Sequence, residues 1–188
     1  MIASPRPAQQ LTLGVIGKSS KPDEKRLPIH PRHFDRIDPG LRQSIILEQG
    51  YGDAFGFSNQ HLDSLVGRLC PREQLIASAD VVLLPKPQAE DLAGLRDGQV
   101  LWGWPHCVQD RALTQLAIDH SPSYLWDSAT WEISEALIPF ISTVMAGPPA
   151  WDLDEPISRA IEIRNGHIQN PDILEFQNRS AAYPHESR

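Results

Sequence analysis

Cysteine is nearly missing from this chain: Cys70 and Cys107 stand alone, far apart and outside any Cys-x-x-Cys pairing. That scarcity excludes a disulfide framework and a cysteine-built zinc site, and it suits a reducing compartment. An excess of positive charge is missing too, since 17 Lys and Arg face 24 Asp and Glu for a formal net charge of -7. An acidic chain with no long basic run is a poor match for nucleic acid or for an anionic membrane surface. No apolar run approaches the roughly 20 residues that a membrane-spanning helix needs. Residues 1–10 carry Arg6 but no hydrophobic stretch of the signal-peptide kind. Internal repeats and low-complexity segments are absent as well. What is present, 188 residues of which 40% are hydrophobic and 22% charged, suffices for one substantial core or two small ones. The expectation is a cytoplasmic globular protein that binds neither nucleic acid nor membrane.

Short apolar runs rich in Val, Ile and Leu alternate with stretches of helical spacing. Strands are expected at residues 11–16, 44–47, 81–84, 99–104 and 124–126. Pro31 opens a short helix to about Arg36, and Asn59 is placed to cap a helix carrying Leu62, Leu65 and Val66. Pro71 sits where another helix can start, with Leu75 and Ile76 inward. Residues 110–119 show Leu113, Leu116 and Ala117 on one helical face. The continuous run Val81-Val82-Leu83-Leu84 fits a strand buried on both faces, as in a parallel sheet. The fold class expected is α/β: an open, mostly parallel, flavodoxin-like sheet with helices on both faces, plus a C-terminal helical return segment. Residues 11–130 form the substrate-binding domain in this reading, and residues 131–179 pack on it. Pro139 is expected to kink the helical stretch before Gly147, and Asn165-Gly166 to form a turn. Residues 1–10 and 180–188 are expected to be flexible.

In open parallel sheets, ligands bind in the crevice beyond the carboxyl ends of the strands. Three polar residues follow strand ends: Arg26 after the loop leaving the first strand, Lys86 beyond residues 81–84, and His106 beyond residues 99–104. An arginine fork binds a carboxylate bidentately. A lysine walled by prolines can hydrogen-bond a carbonyl oxygen or move a proton, and a histidine exchanges protons near neutrality. Together they suit a small anionic carbonyl compound. Plainer readings stand beside these: Lys86 as a solvated loop cation, His106 as a histidine satisfied by backbone, Arg26 as one charge of a charged loop.

Other features point less far. Gly50-Tyr51-Gly52 with Gly56 imitates a dinucleotide fingerprint, but its spacing is G-x-G-x-x-x-G and no acidic strand residue follows about 20 residues on. It reads better as a tight turn. His30 and His33 share a helical face without a third ligand to complete a metal site. Cys107 reads as a buried thiol, and Trp102 and Trp104 as core or pocket wall.

Leu13-Gly14-Val15-Ile16-Gly17, followed by Glu24-Lys25-Arg26-Leu27-Pro28-Ile29-His30-Pro31, resembles the opening of the alanine dehydrogenase and pyridine nucleotide transhydrogenase N-terminal domain family. Glu48-Gln49-Gly50-Tyr51-Gly52, Gly56-Phe57-Ser58, Ala79-Asp80-Val81-Val82-Leu83 and Leu95-Arg96-Asp97-Gly98-Gln99 continue the match in order. Leu84-Pro85-Lys86-Pro87 and Trp102-Gly103-Trp104-Pro105-His106-Cys107-Val108-Gln109 are similar to the N5-(carboxyethyl)ornithine synthases of that family. The resemblance covers about residues 11 to 130. It implies that Arg26 holds an oxo-acid carboxylate and that Lys86 and His106 serve the carbonyl or imine carbon.

Family enzymes carry a Rossmann domain before a returning C-terminal helix. Here residues 126–132 run straight into a stretch similar to that return, so the nucleotide domain reads as excised. The resemblance therefore implies a stand-alone substrate domain for a pyruvate-like 2-oxo acid, an amino acid, or both. No cofactor or metal is expected on this chain, with NAD(P)H entering only through a nucleotide-binding protein partner or an unrecognised site. A homo-oligomer is the other association expected. Two further readings stay open: a non-catalytic remnant or interaction module, and a non-redox lyase or cyclase acting on an amino acid.

Overall fold

Alternation along three strands sorts their side chains onto two faces of one sheet. Leu13 and Val15, Ile45 and Leu47, and Val81 and Leu83 belong to one buried cluster. Ile16, Ile46, Val82 and Leu84 belong to a second cluster on the opposite face. Both faces are dry, which is why these strands read as unbroken apolar runs rather than alternating ones. The computed structural model of the protein describes residues 10–22, 24–87, 91, 94–96, 98–103 and 126–186.

The strands are β1 (Leu13–Val15), β2 (Ile45–Glu48), β3 (Arg68–Cys70), β4 (Val81–Leu84) and β5 (Val100–Gly103). They form one parallel sheet in the order β3-β2-β1-β4-β5. The open parallel α/β expectation stands, and the strand order is that of the first five strands of a Rossmann sheet, 3-2-1-4-5. β3 was not expected at all. It is a three-residue edge strand with Arg68 exposed, held by backbone pairing to β2, and such a strand has no apolar signature.

Helices cover both faces. A 3-10 turn, Pro31–Arg36, starts where the His30 ring accepts from the Arg32 N–H at 3.2 Å, and it buries Pro31, His33 and Phe34. Next come α1 (Pro39–Arg42), α2 (Asn59–Asp63) and α3 (Arg72–Ser78). The cap of α2 is Ser58, one residue earlier than expected, because the Asn59 side chain is turned back to accept the Gly50 N–H at 2.8 Å. On the second face, α3 lies close enough to β1 that a Cβ on Gly14 would stand 2.6 Å from Leu75 Cδ2 and 2.8 Å from Ala79 Cβ.

The long helix α4 (Trp126–Met145) sends Ile141, Val144 and Met145 into the first cluster beside Leu13 and Phe34. The boundary expected at residue 131 therefore falls inside one helix, and Trp126, expected at the end of a strand, is helical. The strand expected at residues 124–125 and the helix expected at 110–119 lie outside the described residues. α4 passes through Pro139 and ends where the Leu11 N–H meets the Met145 carbonyl at 2.8 Å.

Three short helices and a hairpin follow: α5 (Pro148–Trp151), α6 (Glu155–Ala160), β6 (Ile163–Arg164) paired antiparallel with β7 (His167–Ile168), and α7 (Pro171–Phe176). The two-residue turn of the hairpin is Asn165-Gly166, with φ of 51° and 77°. Positive φ at both positions is what such a turn requires, and Asn-Gly tolerates it best. Residues 180–186, expected to fray, fold back. The Ser180 N–H meets the Glu186 carbonyl at 2.8 Å, and the buried His185 ring accepts the Ile168 N–H at 3.2 Å.

Candidate functional site

The order β3-β2-β1-β4-β5 fixes where the connections reverse. From β1 the chain moves outward to β2 and β3, then crosses back to β4 on the other side of β1. In open α/β sheets the ligand crevice opens at that reversal, beyond the carboxyl ends of the two central strands. The residues leaving β1 and β4 are therefore the ones to inspect. They include the loop that carries Glu24 and Arg26, and the turn Pro85-Lys86-Pro87.

Arg26 is engaged. Its Nε donates to Glu24 Oε1 at 2.7 Å, Nη2 donates to Glu24 Oε2, and its backbone N–H donates to Glu24 Oε1 at 3.0 Å. The two side chains are nearly shut off from solvent, 12% exposed for Arg26 and 4% for Glu24. Burial pushes the Glu24 carboxyl up, but the hydrogen bonds and charge of Arg26, joined by the charge of Lys86, outweigh it and hold Glu24 below the usual glutamate range. Lys86 thus lies near enough to act on the same carboxylate. Glu24 thus occupies the Nε–Nη2 edge of the guanidinium.

Lys86 itself is buried, 8% exposed, and its backbone sits at φ 47°, in the left-handed region. For a side-chain-bearing residue between two prolines that conformation is costly, and such strain gathers where a side chain has to be aimed. The solvated-loop reading of Lys86 does not fit its burial. His106, Cys107 and Trp104 lie outside the described residues. Of the three residues singled out from the sequence, Arg26 is held on Glu24, and Lys86 acts on that carboxylate only through its charge, as the smallest of the influences on it.

The wall toward the long helix is built by hydrogen bonds that sequence spacing does not reveal. Next to Arg26, the buried Leu27 N–H donates to Thr130 Oγ1 of α4 at 3.0 Å. Further along, His33 Nδ1 pairs with Ser134 Oγ at 2.7 Å, while the Arg36 guanidinium pairs with Glu135 through both carboxylate oxygens. Burial lowers the His33 pKa, with the charge of Arg36 adding to it and Glu135 opposing. The His30, His33 and Trp131 rings meet tilted or edge-to-face at this seam, and Tyr51 Oη donates to the Ile29 carbonyl at 2.6 Å. His30 and His33 are packing residues there, and no metal-sized group of His, Cys, Asp and Glu occurs among the described residues.

A second charge network ties the end of β2 to the loop leaving β1. Glu48, closing β2, accepts the Gly17 N–H at 2.8 Å and Arg72 Nε at 2.9 Å. Arg72 Nη1 donates to Asp91 Oδ1 at 3.2 Å, and Nη2 donates to the Lys18 carbonyl. Asp91 also accepts the Ser20 N–H at 2.9 Å and the Ser20 hydroxyl at 2.7 Å. Sequence reasoning gave no role to Glu24, Glu48, Arg72 or Asp91. Glu24 and Glu48 lie within blocks of family resemblance, which is the signal that was available. Arg72 and Asp91 carry none.

The glycine loop is a packed turn. The Tyr51 N–H bonds the Glu48 carbonyl, the Asp53 N–H bonds the Gly50 carbonyl, and the Phe57 N–H bonds the Gly52 carbonyl, all at 3.1 Å. A Cβ on Gly52 would stand 2.7 Å from Phe57 Cβ. These amides point inward, as the tight-turn reading expects, and not into a phosphate cradle. Trp102 packs at the edge of the first core cluster.

No family model matches the chain. Among curated proteins it is similar to the N(5)-(carboxyethyl)ornithine synthase of Lactococcus lactis subsp. lactis, 25% identical over 97 residues. That match covers 51% of this chain and 29% of the relative, so the chain spans under a third of the protein it matches. Among solved structures, the transhydrogenase from Sinorhizobium meliloti matches 49% of this chain and 27% of its own at 22% identity, with a TM-score of 0.40. No helix among the described residues is long and apolar enough to cross a membrane. The resemblance carried by the ordered sequence blocks is thus met, at low identity, by an N(5)-(carboxyethyl)ornithine synthase.

Proposed function

We propose that this chain supplies the substrate-binding half of an amino-acid–oxo-acid enzyme, taking a pyruvate-like 2-oxo acid, with or without an amino acid, in the crevice between β1 and β4. The observation that supports this reading is that Glu24 aims the Arg26 guanidinium and that the charge of Lys86, distant in sequence, acts on the same carboxylate. Glu24 fills the Nε edge of Arg26 and leaves the Nη1 edge for a ligand carboxylate, bound as a planar fork binds it. The Lys86 ammonium then stands by the carbonyl oxygen, ready to hydrogen-bond it and to pass a proton as the carbon changes hybridisation. His106 is assigned the partner role in that proton transfer on the resemblance alone. Any hydride comes from a nicotinamide nucleotide held by a separate protein.

Melting of the purified chain with pyruvate, ornithine and NADPH, singly and together, tests this. A ligand at about 100 times its dissociation constant adds roughly 2.7 kcal/mol, a shift of a few degrees. Pyruvate is expected to stabilise the wild type and to lose that effect in Lys86→Ala. Equal stabilisation of both proteins would remove Lys86 from the site.

A second reading has its own observation. Leu153, Ile163, Phe176 and Tyr183 of the C-terminal segment are 89%, 53%, 48% and 65% exposed, an amount of open apolar surface that suits association. A chain that stays monomeric on sizing and recovers no partner would count against an interaction module.

A further inference from the structure

Two loops carry the proposed site, and they are joined at a point remote from it. The loop leaving β1 holds Ser20 and, six residues on, Arg26; the segment leaving β4 holds Lys86 and, five residues on, Asp91. Ser20 and Asp91 meet through three contacts: the Ser20 N–H to Oδ1 at 3.1 Å and to Oδ2 at 2.9 Å, and the Ser20 hydroxyl to Oδ1 at 2.7 Å. Arg72, braced on Glu48 and the Lys18 carbonyl, supplies the countercharge to Asp91. We propose that Asp91 is a positioning residue: through Ser20 and Arg72 it sets the spacing between the Arg26 loop and the Lys86 turn. The proposal rests on the reading that Arg26 and Lys86 share a ligand.

The physical case begins with burial. The Asp91 side chain is 1% exposed, and a carboxylate so enclosed costs free energy unless its partners are complete. Apolar packing would stabilise the junction as well or better, but it would not fix direction. Hydrogen bonds from an amide, a hydroxyl and a guanidinium fix both distance and angle. The location also argues for the role. The contacts join the loop leaving β1 to the segment leaving β4 instead of bracing one element, and chains of five and six residues reach no more than about 22 Å from the junction even when fully extended. A small shift at Asp91 is therefore delivered to the gap between guanidinium and ammonium, where an error of about 1 Å can cost on the order of 100-fold.

The test uses the full chain and two variants, Asp91→Asn and Ser20→Ala, with pyruvate as the probe. Binding is measured by calorimetry at 25 °C, alongside backbone amide exchange. Asp91→Asn is expected to weaken pyruvate about tenfold or more and to speed exchange in residues 18–27 and at the Lys86 amide together, while β6–β7 is unchanged. Ser20→Ala, which leaves the Arg72–Asp91 pair intact, should show the same pattern at about threefold. Unchanged pyruvate affinity in both folded variants would overturn the proposal, whatever happens to their melting temperatures. If the wild type binds no pyruvate, the functional reading fails, and exchange alone decides the junction. Joint loosening of the two loops upholds it, and loosening confined to one loop overturns it.

Discussion

The Glu24 carboxylate lies along the Nε–Nη2 edge of Arg26, two residues away, and also accepts the Arg26 backbone N–H. One acid thereby closes a loop turn and aims a guanidinium, because the edge it occupies dictates which edge is left.

That pair makes stability depend on pH in a defined direction. The folded-state pKa of Glu24 lies below its ordinary value, so the stabilisation is in place above the usual glutamate range and is lost as pH falls through the lowered value. Glu24→Gln is expected to cost about 2 kcal/mol at pH 7, since it strands the Arg26 charge. Urea unfolding at pH 7 and again near pH 3 checks this. The gap between wild type and variant should narrow in acid, and a constant gap would mean the pair does not hold Glu24 ionised.

Lys86 invites a test that separates backbone from side chain. At φ 47° any residue bearing a Cβ is strained by about 1 kcal/mol, and glycine is not. Lys86→Gly should therefore fold more stably than Lys86→Ala by about that amount, while both lose the response to pyruvate. Equal stability of the two variants would show that the turn relaxes once the ammonium is gone.

Thr130 ties α4 to the Arg26 loop through one hydrogen bond to the Leu27 N–H, both groups buried. Thr130→Val keeps the shape and removes the acceptor, leaving a buried amide unpaired at a cost of about 2 kcal/mol. Thr130→Ser retains the oxygen and should cost less than half as much. Chemical denaturation of the two variants decides the matter, and a Thr130→Val loss no larger than that of Thr130→Ser would mean that the hydrogen bond contributes no more than the methyl group.

The sheet was largely legible in the sequence because burial on both faces writes continuous apolar runs at residues 44–47 and 81–84, and proline or glycine punctuates them. β3 was hidden because Arg68-Leu69-Cys70 depends on backbone pairing with β2 and carries no pattern of its own. The strand order was not legible for a related reason. Strand order depends on which edge each crossover takes, and hydrophobicity does not encode that choice. At the site, Arg26 and Lys86 were reachable by the rule of strand ends and by family likeness. Asp91 was not, since a carboxylate in the polar run Gln88-Ala89-Glu90-Asp91 looks like any solvated loop acid until its partners are seen. The domain boundary at 131 failed because the amphipathic pattern becomes clear only from Ile133, although α4 begins at Trp126.

The bond from the Leu11 N–H to the Met145 carbonyl makes residues 11–145 a closed circuit, with its entrance and exit riveted together. β5 and α4 are then the two ends of a connection, both seated on this one frame. Lengthening a connection of that kind adds only about 0.6 kcal/mol of closure entropy for each doubling. The frame can thus carry a much longer insert between β5 and α4, or a shorter one, while β1, β4 and the long helix keep their mutual seat and the crevice keeps its walls.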